Sequence, residues 1–217
     1  MAITLSTGAS LSVAKTYAAS IDVTAASNAS ACVLTTGSAH GIFVGDYVEV
    51  LSGWGLLDQR VVRADTGTTG STLVLEGINT TDVVKYPAGA GVGSVRQITA
   101  WTQISQVRSI SASGGEQQYA DITSLVDVVT RQAPTVRGAI NMTADVFDDP
   151  TLAWYADVGV ADEARAPFGL LMNFPNGSKL VANAYWSLMR VPTIAQNEAL
   201  MTQLSLSYAA EPVRYAS

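Results

Sequence analysis

Residues 167–191 read PFGLLMNFPNGSKLVANAYWSLMRV. Two apolar runs flank Pro175-Asn176-Gly177-Ser178, and Asn-Gly supplies the positive φ angles of a type I′ turn. The stretch is therefore a β-hairpin, with strands over 167–174 and 179–191. It sets the fold class, because much of the chain has the same construction: short runs of strand formers punctuated by Gly, Asn, Asp and Pro. Downstream, a last strand over 199–208 alternates Leu200, Thr202, Leu204 and Leu206, and Glu211-Pro212-Val213-Arg214-Tyr215 reads as a terminal arm.

Upstream, Asp148-Asp149-Pro150-Thr151 announces a helix. Asp caps free N–H groups, Pro suits the first turn, and negative charge suits the positive end of the dipole. Leu152, Trp154, Tyr155, Val158 and Val160 extend it to about Glu163. Earlier still, strands are predicted over 104–112, 117–123 and 136–146; in the last, Ile140, Met142, Ala144 and Val146 share a face. Between two of these strands lies SLVDVVTRQAP, residues 124–134. This is long for a hairpin connection and carries Leu125, Val126, Val128 and Val129, which a solvated loop does not need. It either packs locally or docks on another subunit.

Residues 31–98 read as a compact all-β module, barrel-like or sandwich-like, with strands over 31–35, 47–51, 60–63 and 72–76 and a glycine-rich closing loop over 87–93. Residues 23–30 read as a small-residue linker. Residues 1–22, with Ile3, Leu5, Leu11 and Val13 spaced by two, read as a strand or an extended arm.

Composition narrows the function. With 217 residues and 48% apolar residues the chain can bury a real core, in one large domain or two small ones. Only 14% of residues are charged, against about 25% in an ordinary domain. The surface is therefore rich in Ser, Thr, Gly, Asn and Gln, or is covered by partners. One Cys and one His exclude a disulfide framework and Cys- or His-pair metal sites. A net charge of −6 speaks against a dedicated nucleic-acid binder. No apolar run is long enough to span a membrane, and the N-terminus lacks the basic region of a signal peptide. The expected place of synthesis is the cytosol.

The candidate chemistry is sparse. His40, Asp46 and a nearby Ser form a conceivable hydrolytic cluster, but no nucleophile elbow accompanies them, and a turn histidine is the simpler reading. Gly89-x-Gly91-x-Gly93 lacks the third spacing, the helix and the acidic residue of a dinucleotide loop. Asp145, Asp148 and Asp149 offer oxygen ligands for a hard cation, or simply cap the helix. Trp54, set between Gly53 and Gly55, is either an exposed anchor for a partner or a loop Trp folded onto its own module.

Several of these elements, in this order, carry a resemblance. They are Val107-Arg108-Ser109-Ile110, Ser113-Gly114-Gly115-Glu116, the loop 124–137, the strand 139–146, the helix 149–163, Asn173-Phe174-Pro175-Asn176-Gly177, and the closing 204–212. Over 98–217 the chain resembles the tail tube proteins of phages with long non-contractile tails, the lambda-like major tail proteins of siphoviruses. The stretch 36–96 is similar to an insertion found in some members.

The resemblance implies two packed antiparallel sheets with one flanking helix, in a tail tube domain formed by 1–22 and 98–217. Residues 23–97 form a small inserted all-β module. It further implies hexameric rings joined sheet edge to sheet edge and stacked into a hollow tube. That tube houses a tape-measure protein, meets tail terminator and distal initiator proteins, and passes double-stranded DNA. No cofactor, no enzymatic activity and no membrane are implied. The candidate contact residues between subunits or rings are Leu125, Val126, Val128, Val129 and Arg131 of the long loop, Arg214 and Tyr215 of the terminal arm, and, from its place between two glycines, Trp54. Two other classes stay open: another ring-forming tube (of contractile tails, or of the Hcp type in secretion systems), and a carbohydrate-binding or adhesive tail module centred on Trp54.

Overall fold

The protein is described by a computed structural model covering residues 7–194 and 196–216. The described chain forms fifteen strands and one helix. In order these are β1 (Ser10–Tyr17), β2 (Ile21–Ala26), β3 (Cys32–Thr36), β4 (Tyr47–Ser52), β5 (Arg60–Arg63), β6 (Thr72–Leu75), β7 (Gly93–Ile104), β8 (Val107–Gly114), β9 (Gln117–Asp121), β10 (Gln132–Arg137), β11 (Ile140–Phe147), α1 (Ala153–Ala164), β12 (Phe168–Asn173), β13 (Lys179–Leu188), β14 (Met201–Tyr208) and β15 (Val213–Tyr215). The protein is mainly β with antiparallel pairing, as expected.

The decisive hairpin is β12–β13, in unbroken register from Phe168↔Ala184 to Asn173↔Lys179. It sits inside a sheet ordered β7-β1-β12-β13-β14-β11-β8. One face of that sheet is apolar. Leu11, Val13, Leu170, Ala182, Trp186, Leu204, Leu206 and Met142 close over Trp154, Val158 and Ala161 of α1. The helix thus buries positions i, i+4 and i+7, one stripe of a 3.6-residue period.

β7 belongs to two sheets. Its residues 98–104 pair with β1, while 93–97 are flanked by β2 and β4. The second sheet runs β6-β3-β2-β7-β4-β5. Its ends approach through a bridge at Ala64↔Leu75 and through Glu76 N–H donating to the Arg63 carbonyl at 2.9 Å, without closing into a barrel. Its own core holds Cys32, Leu34, Val48, Trp54, Leu57, Leu73 and Leu75.

The two cores meet at a third cluster of Ala14, Ile98, Leu171 and Val181 against Tyr47, Val61 and Tyr215. Beside it Glu49 is buried at 2% exposure. Asn183 Nδ2 donates to one Glu49 oxygen at 2.7 Å and Arg96 Nε donates to the other. The Arg96 guanidinium lies 4.0 Å from the centroid of Tyr17, whose hydroxyl accepts the Gly169 N–H at 2.8 Å. Burial pushes the Tyr17 hydroxyl up to about 12.

Several local expectations are corrected. The helix begins at Ala153, four residues late, and Leu152 rather than an Asp holds the cap position. Asp149 bonds Thr151 instead, accepting its N–H at 3.0 Å and its hydroxyl at 2.6 Å, so the local Asx-type turn wins over capping. Val160 points to solvent. The supposed linker 23–30 supplies most of β2, because Val23 fills the second core. The long strand 104–112 breaks at Gln106, where φ is +66°, and 136–146 breaks between β10 and β11. The tail is no free arm: Val213–Tyr215 pairs with Lys179–Val181 of β13. Ile3 and Leu5 lie outside the described residues.

Replacing Glu49 with Ala leaves a guanidinium and a buried amide without their acceptor. The expected loss is about 1–3 kcal/mol, the cost of an unsatisfied buried amide, because the Arg96 side chain left behind is 36% exposed and solvent screens its charge. It is read as a lower urea midpoint. An unchanged midpoint would show that the two cores hold together without this carboxylate.

Candidate assembly surfaces

None of the three chemical centres considered in the sequence is built among the described residues. His40 is buried; its Nδ1 accepts the Ile42 N–H at 3.3 Å and its Nε2 has no partner among the described residues. Asp46 accepts instead from Phe43 N–H and Gln97 Nε2. Among the described residues no group of three or more His, Cys, Asp or Glu side chains is placed to hold a metal. Gly91 is a packing position: a Cβ there would stand 2.8 Å from the Trp54 ring and 2.7 Å from Ala26 Cβ. Trp54 itself is enclosed, 5.2 Å centroid to centroid from Tyr86, with Nε1 donating to the Pro87 carbonyl at 2.8 Å. Of its two readings, the structure has the one in which it folds onto its own module. The adhesive reading loses its exposed aromatic, and Trp54 presents no surface to a partner.

Three surfaces are conspicuous instead. The first is the outer face of β8, β11, β14 and β13, where strand register lines up three polar rows. Ser109, Asp145 and Gln203 form one row. Ser111, Thr143, Ser205 and Ser187 form the second, and Ser113, Asn141, Ser207 and Tyr185 the third. These side chains alternate with the buried Met142, Ala144, Leu204, Leu206 and Trp186, as period two requires. The rows are hydrogen-bonded across strands: Ser111 with Thr143 at 2.7 Å, Ser109 Oγ to Asp145 at 2.7 Å, and Gln203 Nε2 to Asp145 at 3.2 Å. Among these eleven residues Asp145 carries the one charge. The Ser109 hydroxyl, the Gln203 amide and nearby Arg108 hold its carboxyl below the ordinary range.

The second surface is a ribbon. β8 and β11 pair with Gly114 opposite Ile140, and β9 and β10 pair with Gln117 opposite Arg137, so the two pairs meet in register, and an irregularity between Pro134 and Arg137 shifts the rest of the β9–β10 pairing by one residue. They are one two-stranded ribbon, kinked where it leaves the sheet. Gly114 makes the kink: its φ is +84°, and a Cβ there would lie 2.0 Å from the Ala139 carbonyl oxygen. At the tip Leu125, Val126, Val128 and Val129 are 74–107% exposed. The tip has internal order of its own. Ser124 N–H donates to Asp127 Oδ2 at 2.9 Å, Ile122 N–H donates to the Arg131 carbonyl at 3.0 Å, and Arg131 pairs with Asp127 at 3.6 Å. The predicted loop 124–137 is therefore shorter, since 132–137 is strand.

The third surface is the pair of sheet edges. β8 is bonded on one side to β11, and residues 98–104 of β7 on one side to β1; among the described residues no strand occupies the other side of either. Of the remaining predicted contacts, Arg214 is exposed with its guanidinium 4.8 Å from the Phe174 ring centroid, whereas Tyr215 is buried and its hydroxyl accepts Arg63 N–H at 2.7 Å. Tyr215 thus anchors the tail inward.

The profile of the phage tail tube protein (TTP) family matches residues 52–217. The chain belongs to the phage tail tube protein family and is a structural component of the virion tail. The matched span opens at Ser52, the end of β4, and so includes β5 and β6 of the smaller sheet. Two cryo-EM structures are similar to part of the chain. One is the anti-feeding prophage cap (AFP tube terminating cap), 16% identical over 53% of this chain and 83% of that one, with a TM-score of 0.36. The other is the six-fold symmetrised anti-feeding prophage baseplate, 10% identical over 54% of this chain and 85% of that one, with a TM-score of 0.37. No curated protein matches the chain.

The depressed Asp145 carboxyl gives a pH prediction. A carboxylate held down in the folded state stabilises it above the unfolded pKa, and that contribution is lost as pH falls through the folded value. Carbon-detected NMR titration is expected to find Asp145 ionising below the ordinary carboxylate value of about 3.9. Ser109→Ala is expected to raise it. An Asp145 that titrates normally in both proteins contradicts the hydrogen-bonded row.

Proposed function

We propose that the protein is the tube subunit of a long non-contractile, siphovirus-type tail: copies close into hexameric rings, the rings stack, and the hollow tube houses the tape-measure protein and passes DNA. The observation that carries the reading is the ribbon, an ordered two-stranded extension with four aliphatic side chains at its tip and no cover in the monomer. A lone soluble protein gains nothing from such an element; a subunit that meets copies of itself does. Edge pairing of β8 with residues 98–104 of the next copy extends one sheet around the ring and removes both open edges.

In this arrangement the polar face of β8, β11, β14 and β13 lines the channel. Binding of duplex DNA draws on Lys and Arg that neutralise phosphates and release counterions. The three rows offer hydroxyls, amides and one carboxylate, and no cation. Passing DNA finds weak repulsion and no grip. The subunit acts without enzymatic activity or cofactor, is made in the host cytoplasm, and meets terminator and initiator proteins at the tube ends. The module around β2–β6 sits outside the ring. This placement favours a tail without a sheath over a contractile tail or secretion tube, because a sheath would occupy that space.

Negative-stain electron microscopy of the concentrated protein, alone and seeded with tail extract, tests the proposal. Hollow tubes are expected, and amide exchange at 124–130 is expected to slow at least tenfold on assembly. A monomer that no seed extends overturns the tube reading.

A further inference from the structure

The turn of the β12–β13 hairpin also carries a reactive pair. Of the seven asparagines in the chain, Asn176 is the one followed by glycine. Pro175 and Asn176 form the centre of a turn closed by Gly177 N–H on the Phe174 carbonyl at 2.9 Å. Gly177 takes a positive φ, +82°, and Asn176 does not, so the turn is type I with a glycine bulge rather than the type I′ form expected from Asn-Gly. Asn176 and Gly177 are exposed, and a Cβ placed on Gly177 would meet nothing within 4 Å. The Asn176 carboxamide is held. Its Oδ1 accepts the Ser178 N–H at 3.1 Å and the Ser178 hydroxyl at 2.7 Å. Ser178 is buried, and its Oγ in turn accepts from Arg214 Nη2 at 3.3 Å. Two donors, one of them backed by a guanidinium, thus draw electron density toward Oδ1 and leave Cγ electrophilic.

We propose that Asn176-Gly177 is a self-modifying site, at which the folded turn promotes deamidation of the asparagine to aspartate and isoaspartate. The Gly177 nitrogen attacks Asn176 Cγ. The new N–C bond closes a succinimide ring, the Cγ–Nδ2 bond breaks, and ammonia leaves with the proton that the Gly177 nitrogen gives up. Water then adds to the ring: opening at Cγ leaves aspartate, and opening at the main-chain carbonyl leaves isoaspartate. Glycine leaves the nitrogen unhindered, exposure admits the water, and the Ser178 donors take up the negative charge that Oδ1 gains in the tetrahedral intermediate. The step first releases Gly177 N–H from the Phe174 carbonyl, one bond at the tip, while the paired register of β12 and β13 stays closed. Asn79 is the internal comparison. Its Oδ1 accepts the Thr81 N–H at 3.0 Å and the Thr81 hydroxyl at 2.7 Å, the same two kinds of donor. The residue after it, however, is Thr80, fully buried with its N–H on the Ala29 carbonyl at 2.9 Å. Asn79 has the polarised carbonyl without the free nucleophile. The product also suits the site: a carboxylate at 176 keeps both Ser178 donors and comes within reach of Arg214, which makes no ion pair among the described residues. A subunit of a virion is not renewed in place, so slow chemistry accumulates on it.

The test follows the amide in the full chain, kept folded in mildly alkaline buffer and digested at acid pH before peptide mass analysis, with isoaspartate counted by an isoaspartyl methyltransferase. Asn176 is expected to lose its amide at least about tenfold faster than Asn79, a barrier difference of about 1.4 kcal/mol or more. An Asn176 amide still intact after Asn79 or another asparagine has converted overturns the site. Ser178→Ala reads the part played by the fold. One donor in an enclosed oxyanion site is worth about a hundredfold or more, and at this exposed turn the expected slowing is about three- to tenfold. Faster loss in Ser178→Ala means that the Ser178 bonds restrain the turn, and overturns promotion by the fold. In denaturing urea the two chains are expected to convert at one rate, since the donors are then gone. A difference that persists there comes from local sequence and likewise overturns promotion by the fold. Arg214→Gln changes an exposed side chain and covers the case in which the alanine variant does not fold. It is expected to slow conversion about twofold, and an unchanged rate overturns the share given to the guanidinium.

Discussion

A carboxylate shut away from water fixes how the two halves of this subunit sit. Glu49 rises from β4 of the smaller sheet and is met by Arg96 from the shared strand β7 and by Asn183 from β13 of the larger sheet. An ionised group at 2% exposure is tolerable only when both oxygens are occupied, because the desolvation cost is several kcal/mol. All three strands must therefore stand in one relation. Tyr17 on β1 and Tyr215 on β15 extend the constraint, each with its hydroxyl taking a backbone N–H from another strand. Apolar packing at Val61 and Val181 alone would allow the sheets to slide. The polar network gives that packing a unique register, and β7, running through both sheets, makes it covalently continuous.

From this fixed frame the larger sheet can afford to be one-sided. Its inner face is filled by α1, and part of its outer face is filled by Tyr47, Val61 and Tyr215. The rest of the outer face, from β13 to β8, is uncovered by any other described residue and is made of hydroxyls, amides and the one carboxylate of Asp145. A sheet with one wet face ordinarily carries charge there, and this chain places almost none. The low overall charge noted from composition is thus concentrated into a particular surface. The family membership gives that surface a natural use in the proposed channel.

Much of this was legible from residue order. The Asn-Gly turn gave the β12–β13 hairpin, and the Leu-x-Leu alternation gave β14 with Leu204 and Leu206 inside. What escaped notice was the other half of the same alternation. Ser109, Ser111 and Ser113, like Ser205 and Ser207, recur at period two, so the polar face could have been read as readily as the core. Strand breaks were harder. Gln106 adopts a positive φ that its side chain does not announce, and Gly114 and Gly115 look like any glycine pair until the Ala139 carbonyl is seen against Gly114 and the Ile140 side chain against Gly115. The helix start failed for a different reason. Asp149 had two local partners within reach, a helix end and Thr151, and the sequence does not say which hydrogen bond is shorter. Trp54 and Tyr215 escaped because burial is a tertiary property: a Trp between glycines is equally consistent with an anchor and a plug.

Four exposed aliphatic side chains would be a hazard on a flat sheet edge, yet here they sit on a narrow ribbon whose tip bonds to itself. A single tip buries at most a few hundred Å² against another copy, well under the roughly 1,000 Å² of a specific stable interface. One such contact between two monomers is too weak to persist. In the proposed ring the tips are presented together, and each added contact would then form at high effective concentration, so affinity multiplies without any new chemistry. The same small patch is thereby silent in a dilute monomer and decisive at the end of a growing tube. This is the behaviour that a rigidly keyed frame carrying one weak, repeated plug would be expected to produce.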